Sequence, residues 1–395
     1  MPDEHVEQAA GVGSDRQPSG EPFNFPDLDG LVLEQLDPVD TVDPAGEVIA
    51  GWTLEEKVAS LFMIHVPGTQ MANFQTVIDT VPVGGFLLLG DNISGTVDQA
   101  QPLVTSLRTM ADSDLLIAID QEGGAVQRLR PDELLSASEL AVEDVAVTTE
   151  VTRERNRLVF DVGANMNLGV VADVSPGEDA YIHSRSFGSE PREVSARVKA
   201  ALQGSIDGVA VAVKHFPGHG LTVEDTHETL GVAEEDVDQW GQNHAIPFQT
   251  AVDEQVPVLM LGHLVMDDVD DQPASLSSQW VQLLRDQWGY QGVIVTDDLS
   301  MLESSGDSRF ADSNQNAASA FAAGVDMVID SGGLTARQTL TRLTGMVDEV
   351  VAAVERDEIS QTQIDQAALR VLRLRESLGG VARPLEDAES GELDG

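Results

Sequence analysis

The sequence predicts an α/β protein built as one (β/α)8 barrel of the TIM type. Eight short runs rich in Val, Ile and Leu recur along the 395 residues. Most are continuous rather than alternating, which is typical of parallel strands that are buried on both faces. About eight such strands separated by helices favour a barrel. The runs are Leu61–Val66, Val83–Leu89, Leu115–Ile119, Asn167–Val174, Val209–Val213, Val256–Leu261, Gly292–Thr296 and Val325–Ile329.

The predicted elements follow one another in a regular order. Order is expected to start at Thr53, where Thr53 and Glu56 form a capping box ahead of an apolar run. A doubly wound open sheet is the competing architecture, but no GxGxxG motif follows the first run, which argues against its dinucleotide-binding form. Helix-compatible stretches between the runs include Val97–Met110, Glu190–Gly208, Ser278–Trp288 and Asn314–Ala323.

Three regions are expected along the chain. Residues 1–48, rich in Asp, Glu, Pro and Gly, form a mostly disordered acidic arm, in which the scattered apolar residues of Phe23–Leu36 are candidates for docking on the body. Residues 49–378 form the single barrel, and residues 379–395 form an acidic tail.

The charge of the chain restricts its partners. Sixty-eight acidic residues oppose 22 basic ones, for a net charge of −46, which argues against nucleic acid and against anionic membrane surfaces. The bases are three lysines and 19 arginines. An acidic body that nearly lacks lysine predicts function at high salt, where self-repulsion is screened; a generally acidic, arginine-biased proteome is the alternative.

The cysteine content and the lack of an export signal or a membrane span bear on where the protein works. The chain has no cysteine, so disulfides, a thiol nucleophile and Cys-ligated zinc are excluded. Neither a signal peptide nor an apolar run of 18 residues is evident, so a cytoplasmic monomer without a membrane span is expected, although secretion stays open.

Titratable residues stand at the C-terminal ends of five of the eight apolar runs. They are Asp120, Asp173, the pair Lys214-His215, His263 and the pair Asp297-Asp298. Since the carboxyl ends of barrel strands build the active site, we expect these side chains to converge on one pocket.

The most informative segment runs from Val213 to Gly220 and continues to His227. It contains Lys214, His215, His219 and two glycines that permit sharp turns or close approach to a ligand. Asp225 and His227 are two residues apart, and a carboxylate beside an imidazole favours a proton donor that is usable near neutral pH. A metal site is the alternative, but neither HxxxH nor HExxH spacing is present.

Two further segments carry carboxylates at strand ends. In Gly292–Met301 an apolar run ends in Asp297 and Asp298, of which one should enter the pocket while the other caps a helix or bonds within a loop. A carboxylate held at such a position can attack an electrophilic carbon. In Asp120–Arg128, an acid, two glycines and an arginine suit the recognition of sugar hydroxyls.

Together these segments resemble the single-domain β-N-acetylglucosaminidases of glycoside hydrolase family 3. The resemblance covers about residues 50–376 and includes Arg185-Ser186-Phe187 and Pro273–Ser277, while Ala125 departs from the arginine that is common in the family. It implies a retaining mechanism with Asp297 as nucleophile and His227, paired with Asp225, as general acid/base. Asp120, Arg128, Arg185, Lys214 and His215 match sugar-binding positions, no metal or cofactor is implied, and Glu122 is expected to be structural.

The resemblance implies an exo-acting enzyme that releases terminal N-acetylglucosamine from β-linked cell-wall fragments or chitooligosaccharides. A phosphorylase, in which phosphate takes the sugar from Asp297, is the nearest alternative, because a histidine acid/base does not repel phosphate. A β-glucosidase is a weaker alternative. A catalytically inactive sugar-binding protein is disfavoured because the expected nucleophile and the Asp225–His227 pair are intact.

Overall fold

Eight parallel strands close into a barrel in the computed structural model, which describes residues 25, 44–93, 95–110, 115–225 and 229–379. Each strand pairs with the next one along the chain, and the last pairs with the first, so the predicted (β/α)8 barrel is confirmed. In chain order the strands are β1 Phe62–Ile64, β2 Gly85–Leu88, β3 Leu116–Ile119, β4 Met166–Val171, β5 Ala210–Phe216, β6 Val258–Leu261, β7 Val293–Asp298 and β8 Met327–Asp330.

Strands β5 and β7 extend further than their apolar runs predicted. Lys214 pairs in register with Val171 of β4, and Asp298 pairs with Ile329 of β8, so backbone pairing continues into the polar residues. The site residues on these two strands therefore belong to the sheet, which fixes their backbone more firmly than a loop would.

Helices cover the outside of the barrel, and no helix among the described ranges is long and apolar enough to span a membrane. The predicted helix at Ser278–Trp288 is split into an α-helical and a π-helical part, Ser278–Gln282 and Leu283–Gln287. The other α-helices are Pro44–Ala50, Leu54–Ala59, Met71–Thr80, Val97–Met110, Ala137–Leu140, Val145–Val162, Pro191–Gln203, Val237–Gln242, Ala245–Asp253, Ser300–Ser304, Ser313–Ala323, Ala336–Glu355 and Gln361–Gly379.

Helical structure begins before the predicted start at Thr53. The capping box is present, since Thr53 Oγ1 accepts from the Glu56 N–H at 3.2 Å and the Glu56 carboxylate accepts from the Thr53 N–H at 2.7 Å. However, the helix Pro44–Ala50 already buries Ala45 and Ile49, one turn apart, and it packs on the last helix. The rest of the acidic arm, apart from Phe25, and tail residues 380–395 lie outside the described residues.

Short strands line the carboxyl-terminal face of the barrel. A two-stranded hairpin follows β3, and a three-stranded sheet combines segments that follow β5 and β6. These small sheets shape the rim around the strand ends. Their strands are Gln121–Gly123 with Val126–Gln127, and Gly231–Val232 with Leu264–Met266 and Asp270–Pro273.

Candidate active site

The predicted sugar-binding residues lie together at the carboxyl ends of strands β3 and β5 and in the loops after β3 and β4. They form one connected network of charges, which agrees with the predicted convergence of the strand ends. Glu122 also belongs to this network, although the sequence did not place it there. We call this network the floor of the site. Its members are Asp120, Glu122, Arg128, Arg185, Lys214 and His215.

Lys214 lies at the centre of the floor. Its Nζ atom is 2.9 Å from Asp120 Oδ1 and 2.6 Å from Glu122 Oε1, and Arg128 Nη2 donates to the other oxygen of Asp120 at 3.2 Å. The Lys214 side chain is 3% exposed, so these pairs are well shielded from water. Burial acts to lower the pKa of Lys214, but the charges of Asp120 and Glu122 outweigh it and raise that pKa. The ammonium group therefore stays charged.

Glu122 joins Lys214 to the second cation of the floor. Arg185 donates to it in a bidentate arrangement, from Nε to Oε2 at 2.9 Å and from Nη2 to Oε1 at 2.8 Å. Burial would raise the pKa of Glu122, but Lys214 and Arg185 hold it well below its usual range. The Glu122 carboxylate therefore balances the charges of two buried cations, which agrees with the structural role predicted for it.

Asp173 holds His215, near the end of strand β5, and His219, in the segment that follows. One carboxylate oxygen is 2.7 Å from His215 Nδ1, and the other accepts from the His219 N–H at 2.6 Å. The other ring nitrogen of His215, Nε2, is 3.2 Å from Arg185 Nη2. The carboxylate thus fixes both the imidazole orientation and the local backbone.

The two glycines of this segment are required for different reasons, Gly218 by its backbone conformation and Gly220 by the space around it. Gly218 has φ +134°, which disfavours other residues, and a Cβ atom on Gly220 would lie 1.7 Å from the carbonyl oxygen of Val174. The segment can therefore fold tightly over Asp173 only with small residues at these positions.

Asp297 is an ionised carboxylate at the end of strand β7. Burial would raise its pKa, but the charges of His215, His263 and Lys214 and the hydrogen bond from the Asp298 N–H, at 2.8 Å, lower it to about 2. The carboxylate is therefore charged across the physiological pH range.

Asp298 points away from Asp297, as the alternation along a strand predicts. Its Oδ1 accepts from the N–H groups of Ser300 at 3.0 Å and Ser331 at 2.9 Å, so it ties β7 to the loop after β8. Its carbonyl oxygen lies 2.9 Å from His263 Nε2. Asp298 therefore organises the backbone that presents Asp297.

The predicted proton-transfer pair is described in part. Asp225 is partly buried in the loop after β5, and its charge raises the pKa of Tyr181, although burial is the larger cause of that shift. Tyr181 itself lies beside the floor, since the Arg185 Cζ atom is 5.8 Å from the centre of its ring. His227 lies outside the described residues.

Tyr181 is a site residue that the sequence analysis missed. Its ring is 37% exposed, and its centre lies 5.7 Å from that of His219 as well as near Arg185. It stands in an irregular loop without hydrophobic periodicity, so its place beside the floor could not be predicted from spacing. Asp173 was found as a strand-end acid, but its role as the partner of His215 required the structure.

Among the described ranges, no group of three or more His, Asp or Glu side chains is arranged to hold a metal ion. What the site offers is a half-buried ionised carboxylate, Asp297, together with a set of fixed cations and hydrogen-bond donors. On a (β/α)8 barrel, charged and polar groups gathered at the carboxyl ends of the strands are typical of an enzyme that binds a polar substrate.

The chain belongs to glycosyl hydrolase family 3, because residues 53–374 match the N-terminal domain of that family. It is 31% identical over 360 residues to the beta-hexosaminidase LpqI of Mycobacterium tuberculosis, covering 88% of each protein. It is 32% identical over 282 residues to the beta-hexosaminidase of Bordetella avium, covering 68% of this chain and 79% of the relative.

A solved structure with a similar fold is the family 3 beta-N-acetylglucosaminidase from Paenibacillus sp. str. FPU-7. It is 30% identical with a TM-score of 0.78, and the match covers 86% of this chain and 65% of that one. The resemblance inferred from the motifs is thus confirmed, and the chain is a glycoside hydrolase.

Proposed function

We propose that this chain is a retaining exo-β-N-acetylglucosaminidase that releases terminal β-linked N-acetylglucosamine from cell-wall fragments or chitooligosaccharides. The observation that carries the proposal is Asp297, a carboxylate whose pKa is lowered to about 2 at the end of strand β7. The names of the relatives, beta-hexosaminidase and beta-N-acetylglucosaminidase, support the choice of sugar.

The floor binds and orients the terminal sugar. Asp120 can accept hydrogen bonds from sugar hydroxyls, while Arg128, Arg185 and Lys214 can donate to them. Because ion pairs already hold these side chains in place, they lose little conformational entropy when the sugar binds. The sugar is thereby fixed with its anomeric carbon toward Asp297.

In the first step, an oxygen of Asp297 attacks the anomeric carbon and the bond to the leaving-group oxygen breaks. His227 gives its proton to that oxygen, so the aglycone leaves as a neutral alcohol. Asp225 favours the protonated form of His227 that this step needs. The product is a glycosyl ester on Asp297.

In the second step, water attacks the anomeric carbon of the glycosyl ester. His227, now neutral, takes a proton from the water, and the Asp297 carboxylate is released. The two inversions at one carbon leave the β configuration unchanged. His227 and Asp297 are both returned to their starting protonation states.

The substitution Asp297→Asn tests the proposal on an aryl β-N-acetylglucosaminide. We expect kcat/KM to fall at least about 10⁴-fold, because a neutral amide cannot form the ester. Asp312→Asn is the matched control, since Asp312 is an exposed helix cap whose bond to Asn314 N an asparagine can replace. Near-normal hydrolysis by the Asp297 variant would contradict the assignment.

The alternatives are not favoured, because the relatives are named for hexosaminidase activity. A reaction in phosphate buffer compares them directly. The proposal requires free N-acetylglucosamine as the main product, whereas a phosphorylase would form the sugar 1-phosphate, and a β-glucosidase would prefer an aryl glucoside.

We further propose that residues 49–378 act as one catalytic barrel between the acidic arm 1–48 and the tail 379–395, as a cytoplasmic monomer suited to high salt. The charge of −46 with three lysines supports the salt requirement. Activity and unfolding compared in low and molar salt test it, light scattering tests the monomer, and cell fractionation tests the location.

A further inference from the structure

A cluster of aromatic rings lies behind strand β5, between the helices that follow β5 and β6. We call it the aromatic cluster. The ring of Phe216 meets four of its neighbours edge to face, with ring centres 5.4 to 6.1 Å apart, and Trp240 stacks on Trp288. Its members are Phe216, Trp240, Phe248, Trp280 and Trp288.

Phe25, from the acidic arm, is inserted into this cluster. Its ring centre is 5.2 Å from that of Trp280 and 6.2 Å from that of Trp240, and the residue is 5% exposed. Nineteen positions separate it from Pro44, where the first helix begins. Burial of a phenylalanine to this extent is worth about 2 kcal/mol or more, so the contact is a substantial one.

The aromatic cluster also supports the segment that carries the site histidines. Trp240 Nε1 donates a hydrogen bond to the Pro217 carbonyl at 2.9 Å, and Phe216 is itself a member of the cluster. Residues 216 and 217 stand between His215 and His219, both of which are bound to Asp173. The backbone that places these histidines therefore rests on rings that Phe25 packs against.

We propose that Phe25 is a positioning residue for the hydrolytic reaction, acting through Trp240 on the backbone around Pro217. This inference rests on the proposed function. It makes a residue of the acidic arm a part of the working enzyme, although Phe25 itself touches no reacting group.

The physical argument concerns the space that Phe25 fills. Without its ring, Trp240 and Trp280 would border a void, and a void in a packed interior is partly closed by movement of its walls. Movement of Trp240 would lengthen or bend its hydrogen bond to Pro217. The sugar must be oriented to within about 1 Å for attack, and His215 belongs to the floor that orients it. A small displacement of His215 therefore lowers the turnover rate more than it weakens binding.

A purely structural role makes a different prediction. Phe25 would then contribute to the free energy of unfolding, and the enzyme that remains folded would have normal kinetics. Phe74 provides the matched control, because it is fully buried and packs edge to face on Phe86, on the β1–β2 side of the barrel. Phe74→Ala removes an aromatic ring from the core without touching the aromatic cluster.

The test compares Phe25→Ala and Phe25→Leu with Phe74→Ala in the full chain, at a temperature at which circular dichroism shows each variant folded. With an aryl β-N-acetylglucosaminide, we expect kcat to fall about tenfold in Phe25→Ala with little change in KM. Phe25→Leu, which refills part of the space, should recover part of the rate. Phe74→Ala should lose stability and keep wild-type kcat. Equal kcat in all three would overturn the inference.

A double-mutant cycle tests the route through Trp240. Trp240→Phe removes the donor to Pro217 and should lower kcat by itself. If Phe25 acts through Trp240, adding Phe25→Ala to Trp240→Phe should cost much less than the tenfold it costs alone. Independent, multiplying losses would reject this route. Should Phe25→Ala not fold, Phe25→Leu takes its place in the same cycle.

The two proposals fail in different ways. If wild-type enzyme does not hydrolyse the β-N-acetylglucosaminide, the proposed function is wrong. If wild type is active and the Phe25 variants match Phe74→Ala in kcat, the proposed function stands and the role of Phe25 is rejected.

Discussion

The charged groups in the floor of the site are held far more tightly than those in the loop after strand β5. Lys214 and Arg185 are 3% and 8% exposed at their side chains, and each is ion-paired with Glu122. In the loop, Asp225 is only partly buried, Glu224 is exposed, and Val223 is 54% exposed.

The difference suits the roles that the proposed mechanism gives to the two regions. The floor has to present fixed charges to a sugar, so its electrostatic field is best organised before the substrate arrives. The loop has to deliver a proton-transfer group once the substrate is in place, and a segment with few buried contacts can adjust its position at low cost. Each of the following predictions breaks or sharpens this comparison.

Breaking the floor should have the largest effect. Lys214→Met leaves Asp120 and Glu122 close together without the cation that lies between them, and removal of one partner from a buried pair typically costs about 3–5 kcal/mol. We expect kcat/KM to fall at least about 10³-fold, because the carboxylates of the floor lose the ammonium group that positions them. The urea midpoint should also drop clearly, because two neighbouring carboxylates lose the cation that balances them.

The control for this change is Lys199→Met. Lys199 is ion-paired with Glu254, but its side chain is 52% exposed, and exposed pairs contribute about 0–1 kcal/mol. It should leave activity and the urea midpoint nearly unchanged. Equal effects of the two substitutions would show that the floor is not specially organised.

Changing the loop should affect some substrates and spare others. In Asp225→Asn, His227 loses the carboxylate that favours its protonated form, so a leaving group that needs a proton suffers most. We expect kcat/KM to fall about 10²-fold for an alkyl or sugar leaving group and only a few fold for a nitrophenyl one. Glu224→Gln, the exposed neighbour, is the control, and a uniform loss over all leaving groups would contradict the role of Asp225.

The fold could be predicted from the sequence because strands buried on both faces leave a continuous apolar signal. All eight apolar runs overlap a strand of the barrel. The apolar runs predict that β5 ends at Val213 and β7 at Thr296, but the strands continue to Phe216 and Asp298. Lys214 and Asp298 are polar, and only pairing with Val171 and Ile329 on neighbouring strands shows that they continue the sheet.

The convergence of charged side chains could be predicted where a charged residue directly follows an apolar run. Lys214 and Asp120 are of this kind, and they lie 2.9 Å apart. The apolar residues of Phe23–Leu36 predict docking on the body, and Phe25 is buried against Trp240 and Trp280, but the sequence does not identify these partners. Tyr181 stands in a segment without periodicity, so its place beside His219 could not be predicted either. Long-range packing of single side chains leaves no local pattern to detect.

Acid should weaken the fold through a histidine beside the floor. Burial, followed by the charge of His215, lowers the pKa of His219 from 6.5 to about 4. Between these values the unfolded chain binds a proton that the folded protein does not, so stability falls as the pH drops from 6.5 to 4. The loss from this group reaches about 3 kcal/mol at the lower end.

Urea unfolding at pH 7 and pH 5 measures this loss. Asp173 and Asp297, whose pKa values are lowered, stay ionised in the folded protein over this range and add no acid loss of their own. His219→Gln should therefore lose less stability than wild type between the two pH values. Equal losses would show that His219 is not the group responsible.

The smallest effect is expected where the two regions meet, at Tyr181. Its ring lies on Arg185 of the floor and beside His219, and burial, with a smaller contribution from Asp225 of the loop, raises its pKa. Tyr181→Ala should raise KM several fold, because Arg185 loses an aromatic contact worth about 1 kcal/mol. Tyr181→Phe keeps the ring and should stay near wild type if the ring face is what matters.

Tyr290→Phe is the control, since Tyr290 faces Arg285 at 5.3 Å but lies just before strand β7, at the opposite end of the barrel from the site. If Tyr181→Phe matches Tyr181→Ala, the hydroxyl group rather than the ring joins the floor to the loop.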